Sequence, residues 1–343
     1  MLMVDVRVED DFLREADPYR RELLAHCYRM LGSVHDAEDL VQETYLRAWR
    51  GYEKFEGRSS LRTWLYRIAT TACLTALEGR QRRPMPTGLG APDNDPDGTL
   101  AENSEVPWLE PYPSGTTLSP GSASPDGAGG GDPASVVTSR ESIRLAFIVA
   151  LQHLPPRQRA VLVLRDVLRF RAAEVAEAVG TTTAAVNSLL QRARATLDEV
   201  GPIQDELVEP AAPEQKELLD RYVEAFESYD VQAIVSLFTA DAVWEMPPFL
   251  SWFKGAENIG RLVLSQCPAE KAGDLLHLST TANGQPALAA YLRDADGDYH
   301  AFQLQVLTVA GDRVSHVASF FDVSLFPVFG LPPSLPGASA SAP

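Results

Sequence analysis

The side chains best placed to do chemistry lie between Leu168 and Leu197, LRFRAAEVAEAVGTTTAAVNSLLQRARATL, and the chemistry is the reading of a nucleic-acid groove. Asn, Gln and Arg form paired hydrogen bonds with base edges, while Ser and Thr hydroxyls meet phosphates or bases equally well. Thr183, Asn187, Ser188, Gln191, Arg192 and Arg194 recur at helical spacing on an outer face, and Val186, Leu189, Leu190 and Ala193 form the apolar stripe behind them. Upstream, Ala173, Val175, Ala176 and Val179 make another apolar stripe that Gly180 ends, and Thr181 or Thr182 offers a hydroxyl cap to the next helix. The pattern predicts a helix-turn-helix whose second helix enters a DNA groove.

A second set of polar residues sits in residues 14–83, which are helical in pattern. The loop FEGRSS, Phe55 to Ser60, interrupts the periodicity at Gly57, and Ser59 or Ser60 caps the helix that follows. Spacing places Leu61, Leu65, Ile68, Ala72 and Ala76 inward, and Arg62, Tyr66, Arg67, Thr70 and Thr71 outward. Trp64 is assigned to the core in part. The preceding helix, Asp36 to Trp49, buries Leu40, Val41, Tyr45 and Trp49 and presents Asp39, Gln42, Glu43, Arg47 and Arg50.

These elements must be held together by a chain of 343 residues, long enough for two or three domains, with a formal net charge of −17. That charge is unevenly distributed. Residues 14–83 carry 13 Lys and Arg against 10 Asp and Glu, and residues 138–200 carry 9 against 6. Residues 84–137 hold eight carboxylates and no base, and residues 205–343 are acidic, so attraction to a polyanion falls to two separate helical modules. The segment 84–137, rich in Pro, Gly and Ser, is expected to be an acidic disordered linker, with one island, WLEPYP from Trp108 to Pro113, whose aromatics suit docking. Cys27, Cys73 and Cys267 are isolated thiols that predict neither a disulfide scaffold nor a zinc site. No metal and no cofactor is expected. No apolar run approaches the ~20 residues of a membrane span, and the acidic start is unlike a secretory signal, so a cytoplasmic location is expected.

Residues 214–331 change character. Helical periodicity in EQKELLDRYVEAFESYD gives way to the alternating stretches AVWEM, LLHLSTTAN, ALAAYLRD, YHAFQLQVLTV and RVSHVASFF, with turns at Asn283-Gly284, Asp296-Gly297 and Gly311-Asp312. This predicts a multidomain chain: two all-α helical domains followed by a C-terminal α+β domain, and a disordered tail over 332–343.

In this order the segments HCYRMLGSVHDAEDLVQETYLRAW, RSSLRTWLYRIA and LPPRQRAVLVLRDVL, followed by the helix-turn-helix, resemble the extracytoplasmic-function (ECF) subfamily of the sigma-70 factors, in the subgroup with a C-terminal SnoaL-like extension. The resemblance implies sigma region 2 in 14–83, region 4 in 138–200, and a SnoaL-like domain of the NTF2-like fold in 214–331. It implies a non-enzymatic transcription-initiation factor whose partners are core RNA polymerase and promoter DNA, with no membrane. Asp39, Gln42, Glu43 and Arg47 match the family's polymerase-binding surface. Arg58, Ser59, Ser60, Arg62, Tyr66, Arg67 and Thr70 match its minus-10 reader, where a base leaves the stack and single strands are held by stacking and cations. Thr183, Asn187, Ser188, Gln191, Arg192 and Arg194 match its minus-35 reader.

For the last third the resemblance implies a cone-shaped pocket. Trp244, Trp252, His277, Tyr291, Gln303 and His316 are its candidate lining for an unidentified small-molecule ligand, and Glu245, His277, His300, His316 and Asp322 are the acid-base candidates were it an enzyme. Two roles stay open for this domain, a regulatory module or a fused enzyme, with regulation preferred and no catalytic residue assigned. The whole-chain alternative is a polymerase-independent helix-turn-helix regulator.

Overall fold

The computed structural model describes residues 11–114, 143–200 and 212–337. They form two compact units, one containing residues 11–83 and 143–200 and the other 84–114 and 212–337.

In the first unit, α1 (Arg20–Leu31) stops at Gly32, whose φ of 69° is the left-handed conformation that a helix C-cap requires. The Ser33 hydroxyl then accepts the Asp36 N–H at 3.1 Å and starts α2 (Val34–Tyr52). Ser60 caps α3 (Leu61–Ala76) in the same way, through the Thr63 N–H at 3.0 Å. After it come α4 (Leu145–Gln152), α5 (Pro156–Leu162), α6 (Ala172–Ala178) and α7 (Thr183–Val200). Leu23, Cys27, Leu65, Ala69, Ile148 and Val161 are fully buried, so the two helical segments share a core. Arg159, 3% exposed, donates to the carbonyls of Met30 and Leu154 and to Gln152 Oε1, tying α5 to α1. Burial without a facing carboxylate draws its pKa down to about 10.

His26 on α1 is fully buried and shares a 3.0 Å hydrogen bond with Thr70 on α3. Burial first, and then the charges of Arg29 and Arg62, lower its pKa from 6.5 to about 3. The unfolded chain therefore binds a proton that the folded chain refuses. The stability held by neutral His26 is complete above about pH 6.5 and is lost as pH falls toward about 3. Denaturation midpoints are expected to fall on acidification through this window, by up to about 1.4 kcal/mol per pH unit from this group. The slope should flatten in His26→Gln, and an unchanged slope would remove the assignment.

In the second unit, α8 (Ala212–Glu227) and α9 (Val231–Ser236) precede β1 (Phe238–Glu245), β2 (Trp252–Lys254) and α10 (Ala256–Gln266). There follow β3 (Leu275–Ala282), β4 (Gln285–Arg293), β5 (Tyr299–Ala310), β6 (Arg313–Phe320), the short α11 (Leu325–Val328) and β7 (Ser334–Leu335). The sheet order is β2-β1-β6-β5-β4-β3, with β7 on β5, and β1 and β6 are parallel. Asn283 and Gly284 both have positive φ, 54° and 69°, which gives the tight β3–β4 hairpin its matching twist. Leu218, Tyr222 and Phe226 of α8 and Ile259 and Leu262 of α10 pack with Trp244, Leu307 and Val317 of the sheet to form the core.

The structure departs from the expected linker. Residues 84–114 form an ordered strap on the second unit, without helix or strand of their own beyond one short 3-10 turn at Pro86–Gly88. Its backbone meets the domain in isolated bridges, Asp93 with Phe253, Glu102 with Phe249 and Pro113 with Ala282. The Thr87 N–H reaches the buried carboxylate of Glu245 at 3.0 Å, the Trp252 indole donates to the Gly90 carbonyl at 3.0 Å, and Arg261 pairs with Asp97. The island at Trp108–Pro113 contributes Leu109 and Tyr112, both buried, and the Tyr112 N–H bonds Asn283 Oδ1 at 2.8 Å. Pro-rich chain is cheap to order, since its φ angles are already restricted, so a few buried anchors suffice. The remaining linker residues, 115–137, lie outside the described residues. The expected disordered tail is likewise replaced over 332–337, where Leu335 pairs with Tyr299 and the Tyr291 hydroxyl donates to the Pro332 carbonyl at 3.0 Å; residues 338–343 lie outside the described residues.

Candidate functional site: nucleic-acid interfaces and a cavity

The helix-turn-helix comprises α6 and α7. Gly180 turns the chain with φ 63°, and the Thr182 hydroxyl accepts the Ala185 N–H at 3.2 Å. Val186, Leu190 and Ala193 are buried, which leaves Thr183, Asn187, Ser188, Gln191 and Arg192 together on the exposed face. Arg194 is also exposed but committed elsewhere: its guanidinium makes two hydrogen bonds to Asp166, at 2.9 and 2.7 Å. That bidentate pair fills the fork geometry a base edge would need.

Around the loop Phe55–Ser60 the structure opens a groove of about 590 Å³. Phe55 and Trp64 stack in it at 4.8 Å, and Lys54, Arg58, Ser59 and Arg67 line it. Stacked aromatics rimmed by cations suit an unstacked base and its phosphate. Trp64 thus belongs to the groove as well as to the packing. Glu177 of α6 reaches into the same groove and pairs with Arg67, so a carboxylate occupies the place of a phosphate here.

Three residues predicted to face outward from α3 do not. Tyr66 is 1% exposed and donates to Glu22 Oε2 at 3.1 Å, and Thr70 is fully buried against His26. Arg62 is drawn into the unit by Glu22, with bonds of 2.9 and 2.8 Å, and lies 4.9 Å from the ring centres of both Tyr66 and Phe170. The reason is that α3 packs on α1 at one side and α6 at another, so its buried arc is wider than a single stripe and takes in polar residues with partners. Arg58, Ser59 and Arg67 keep at least partly exposed positions lining the groove, whereas Ser60 is exposed beside it with its hydroxyl capping α3.

On α2, Asp39, Gln42 and Arg47 are exposed and Glu43 is half-buried, with Arg47 donating to Glu43 at 2.6 Å. Leu46, 49% exposed on the same helix, adds an apolar group to this face that the polar pattern did not reveal.

The second unit carries a partly open cavity of about 310 Å³ between α8, α10 and the sheet. Of the six residues expected to line it, only Trp244 and Gln303 do. The other four have structural partners: Trp252 holds the strap at Gly90, Tyr291 holds Pro332, His277 lies 3.5 Å from Glu227, and His316 bonds Glu245 at 2.8 Å. Glu245, whose other oxygen receives Thr87, is 2% exposed and part of the strap's attachment. His300 pairs with Asp294 at 2.8 Å and Asp322 caps Ser324 at 2.9 Å, both at the surface. Among the lining residues that alternation missed are Leu100 from the strap and the cluster Phe249, Phe302 and Phe321. An irregular strap has no period, so Leu100 carries no sequence signal.

Comparison with known proteins resolves the family. Residues 16–83 match the model of sigma-70 region 2, residues 144–197 that of sigma-70 region 4, and residues 214–317 that of the nuclear transport factor 2 (NTF2) domain. The ECF RNA polymerase sigma factor SigG of Mycobacterium tuberculosis is 61% identical over 327 residues, covering 95% of this chain and 85% of that protein. The chain belongs to the ECF sigma factors of RNA polymerase. SigJ of M. tuberculosis, an ECF sigma factor, is 29% identical over 258 residues, covering 73% of this chain and 71% of that protein. The crystal structure of M. tuberculosis SigJ aligns with a TM-score of 0.59 at 24% identity, over 94% of this chain and 99% of that one, and so shares the fold. In this sigma factor the groove at Phe55–Ser60 therefore lies in region 2 and the exposed face of α7 in region 4, while the strap begins immediately after region 2 and lies outside all three matched segments. No helix among the described residues is long and apolar enough to cross a membrane.

Proposed function

We propose that the first unit engages core RNA polymerase in the cytoplasm through the α2 face of Asp39, Gln42, Glu43, Leu46 and Arg47, and reads a promoter at two places. Thr183, Asn187, Ser188, Gln191 and Arg192 contact the minus-35 element in the major groove. Arg58, Ser59, Ser60 and Arg67, with stacked Phe55 and Trp64, hold melted minus-10 DNA. Arg62, Tyr66 and Thr70 support this site from within, and Arg194 positions α7 through Asp166. The second unit acts on this activity as a regulator, through the strap that follows region 2. The observation carrying the reading is the cation-rimmed aromatic groove, because a regulator confined to duplex DNA has no use for a place to hold an unstacked base.

The test is run-off transcription with core polymerase, beside fragment binding with and without the enzyme. Promoter binding of equal strength without polymerase would favour the polymerase-independent alternative. Asn283→Ala, which loosens the Tyr112 end of the strap, is expected to change run-off output, and unchanged output overturns the regulatory part. Arg192→Ala is expected to cost about 1–3 kcal/mol on a matched minus-35 fragment and less on a mismatched one. A loss uniform across sequences, with the salt slope reduced by about one, would assign Arg192 to a phosphate instead.

A further inference from the structure

The groove at Phe55–Ser60 is lined by region 2 except for one side chain, Glu177, which region 4 supplies from α6. Its carboxylate pairs with Arg67 of the groove wall. A carboxylate and a phosphodiester offer a guanidinium the same thing, one negative charge shared by two oxygens. Three further contacts hold α6 and the turn before it on α3. The Phe170 ring, 6% exposed, lies 5.1 Å from the Tyr66 ring and 4.9 Å from the Arg62 guanidinium, and the Thr63 hydroxyl donates to Glu174 Oε1 at 3.4 Å. The Arg67–Glu177 pair itself is solvated, with 41% and 57% of the two side chains exposed. Such a pair is weak, and another anion can displace it.

The spacing of promoter elements shows that this closed arrangement does not read both at once. Elements centred about 25 base pairs apart, as minus-10 and minus-35 are, lie about 85 Å apart on straight duplex. A compact unit of about 130 residues has a radius of gyration of about 14 Å and a diameter of about 36 Å. Regions 2 and 4 therefore part before a promoter is held at both places, and α6 leaves the groove as they do.

We propose that Glu177 is an internal stand-in for a promoter phosphate: with α6 docked, its carboxylate fills the Arg67 site that a phosphate of the melted strand takes once region 4 moves off, so that single-stranded DNA and α6 compete for one groove. Phe170 is the anchor that brings Glu177 to its place. The weakness of the Arg67–Glu177 pair lets a strand with many phosphates and stacking bases displace it. This competition rests on the reading of the groove as the holder of melted minus-10 DNA.

The probe is a fluorescein-labelled DNA strand of about 12 nucleotides and randomised sequence, followed by anisotropy with the full-length chain, since stacking and phosphate contacts tolerate any sequence. Glu177→Gln is expected to tighten binding about three- to fivefold, the most that losing an exposed pair yields. Glu199→Gln removes the same charge from an exposed position of α7 outside the groove, and is expected to change binding less than about 1.5-fold. Arg67→Ala is expected to weaken binding and, in the double variant, to erase the gain from Glu177→Gln. Docking has its own readout. A 4-fluorophenylalanine at position 170 senses the Tyr66 ring, and its fluorine resonance is expected to move toward the solvent-exposed position as strand is added. A resonance that stays in place under saturating strand overturns the competition, because strand and docked α6 would then coexist. Equal tightening by Glu199→Gln reduces the effect to net charge and overturns the stand-in. Equal affinity of Glu177→Gln and the unsubstituted chain, with Arg67→Ala still weaker, leaves the groove assignment standing and removes only this inference. No binding by any of these chains, or binding unchanged in Arg67→Ala, takes down the groove assignment and the stand-in with it.

Discussion

Glu22→Ala is expected to lower the stability of the first unit by about 3 kcal/mol, because it removes the acceptor that two groups, the half-buried Arg62 guanidinium and the buried Tyr66 hydroxyl, share. Glu22 is 4% exposed; its carboxylate takes three bonds from Arg62 and one from the Tyr66 hydroxyl. Without it, Arg62 is left between the rings of Tyr66 and Phe170 with no counterion, at 21% side-chain exposure. Surface ion pairs are worth at most about 1 kcal/mol, so the expected loss separates this arrangement from an exposed DNA-reading arginine. Chemical denaturation of the full chain, following the transition of the helical unit, measures it. Arg62→Ala is expected to destabilise as well, and the double variant to cost less than the two losses combined, since each single change strands the other partner. Arg62→Ala that weakens promoter binding while leaving denaturation unchanged would return Arg62 to the DNA surface.

The same residues mark where sequence patterns stop being informative. The apolar stripes of α6 and α7 were legible because each lies within one short helix, packed on one side, with its polar face open to solvent. On α3 the periodicity assigned Tyr66 and Thr70 to the outside, yet their partners Glu22 and His26 sit 44 residues earlier in the chain, and no local period encodes such a pairing. The strands β3 to β6 were legible from alternation and from Asn283-Gly284. Most of the expected pocket lining was not: alternation assigns faces, but it does not distinguish a side chain that reaches a cavity from one spent on the strap. Trp252 and His316 illustrate this. Each is a reasonable pocket residue by type, and each is committed to the strap, directly at Gly90 or through Glu245. An irregular segment that docks through scattered carbonyls and a few anchors looks in sequence like any Pro-rich tether.

Asn283→Ala is expected to release the end of that strap, at a local cost of about 3 kcal/mol. Two effects combine. Asn283 has φ 54°, a left-handed conformation that Asn tolerates and Ala resists by about 1–2 kcal/mol. It is also fully buried, and its Oδ1 accepts the Tyr112 N–H at 2.8 Å, so the alanine leaves a buried strap amide unsatisfied at a further cost of about 1–3 kcal/mol. Asn283→Gly separates them, since glycine keeps the hairpin turn and loses only the side-chain acceptor. Hydrogen exchange at the Tyr112 amide is the direct readout: a change near 3 kcal/mol corresponds to roughly hundredfold faster exchange for Ala, with Gly intermediate. Because the Asn283 N–H also bonds the Tyr112 carbonyl, at 2.8 Å, the remaining backbone contact should keep Tyr112 in part protected, so complete loss of protection is not expected. Exchange at Tyr112 equal to that of the unsubstituted chain would mean that the strap is held by Leu109, Trp252 and Glu245 rather than at this hairpin, and the route from the second unit to region 2 would then have to run through the Thr87 end.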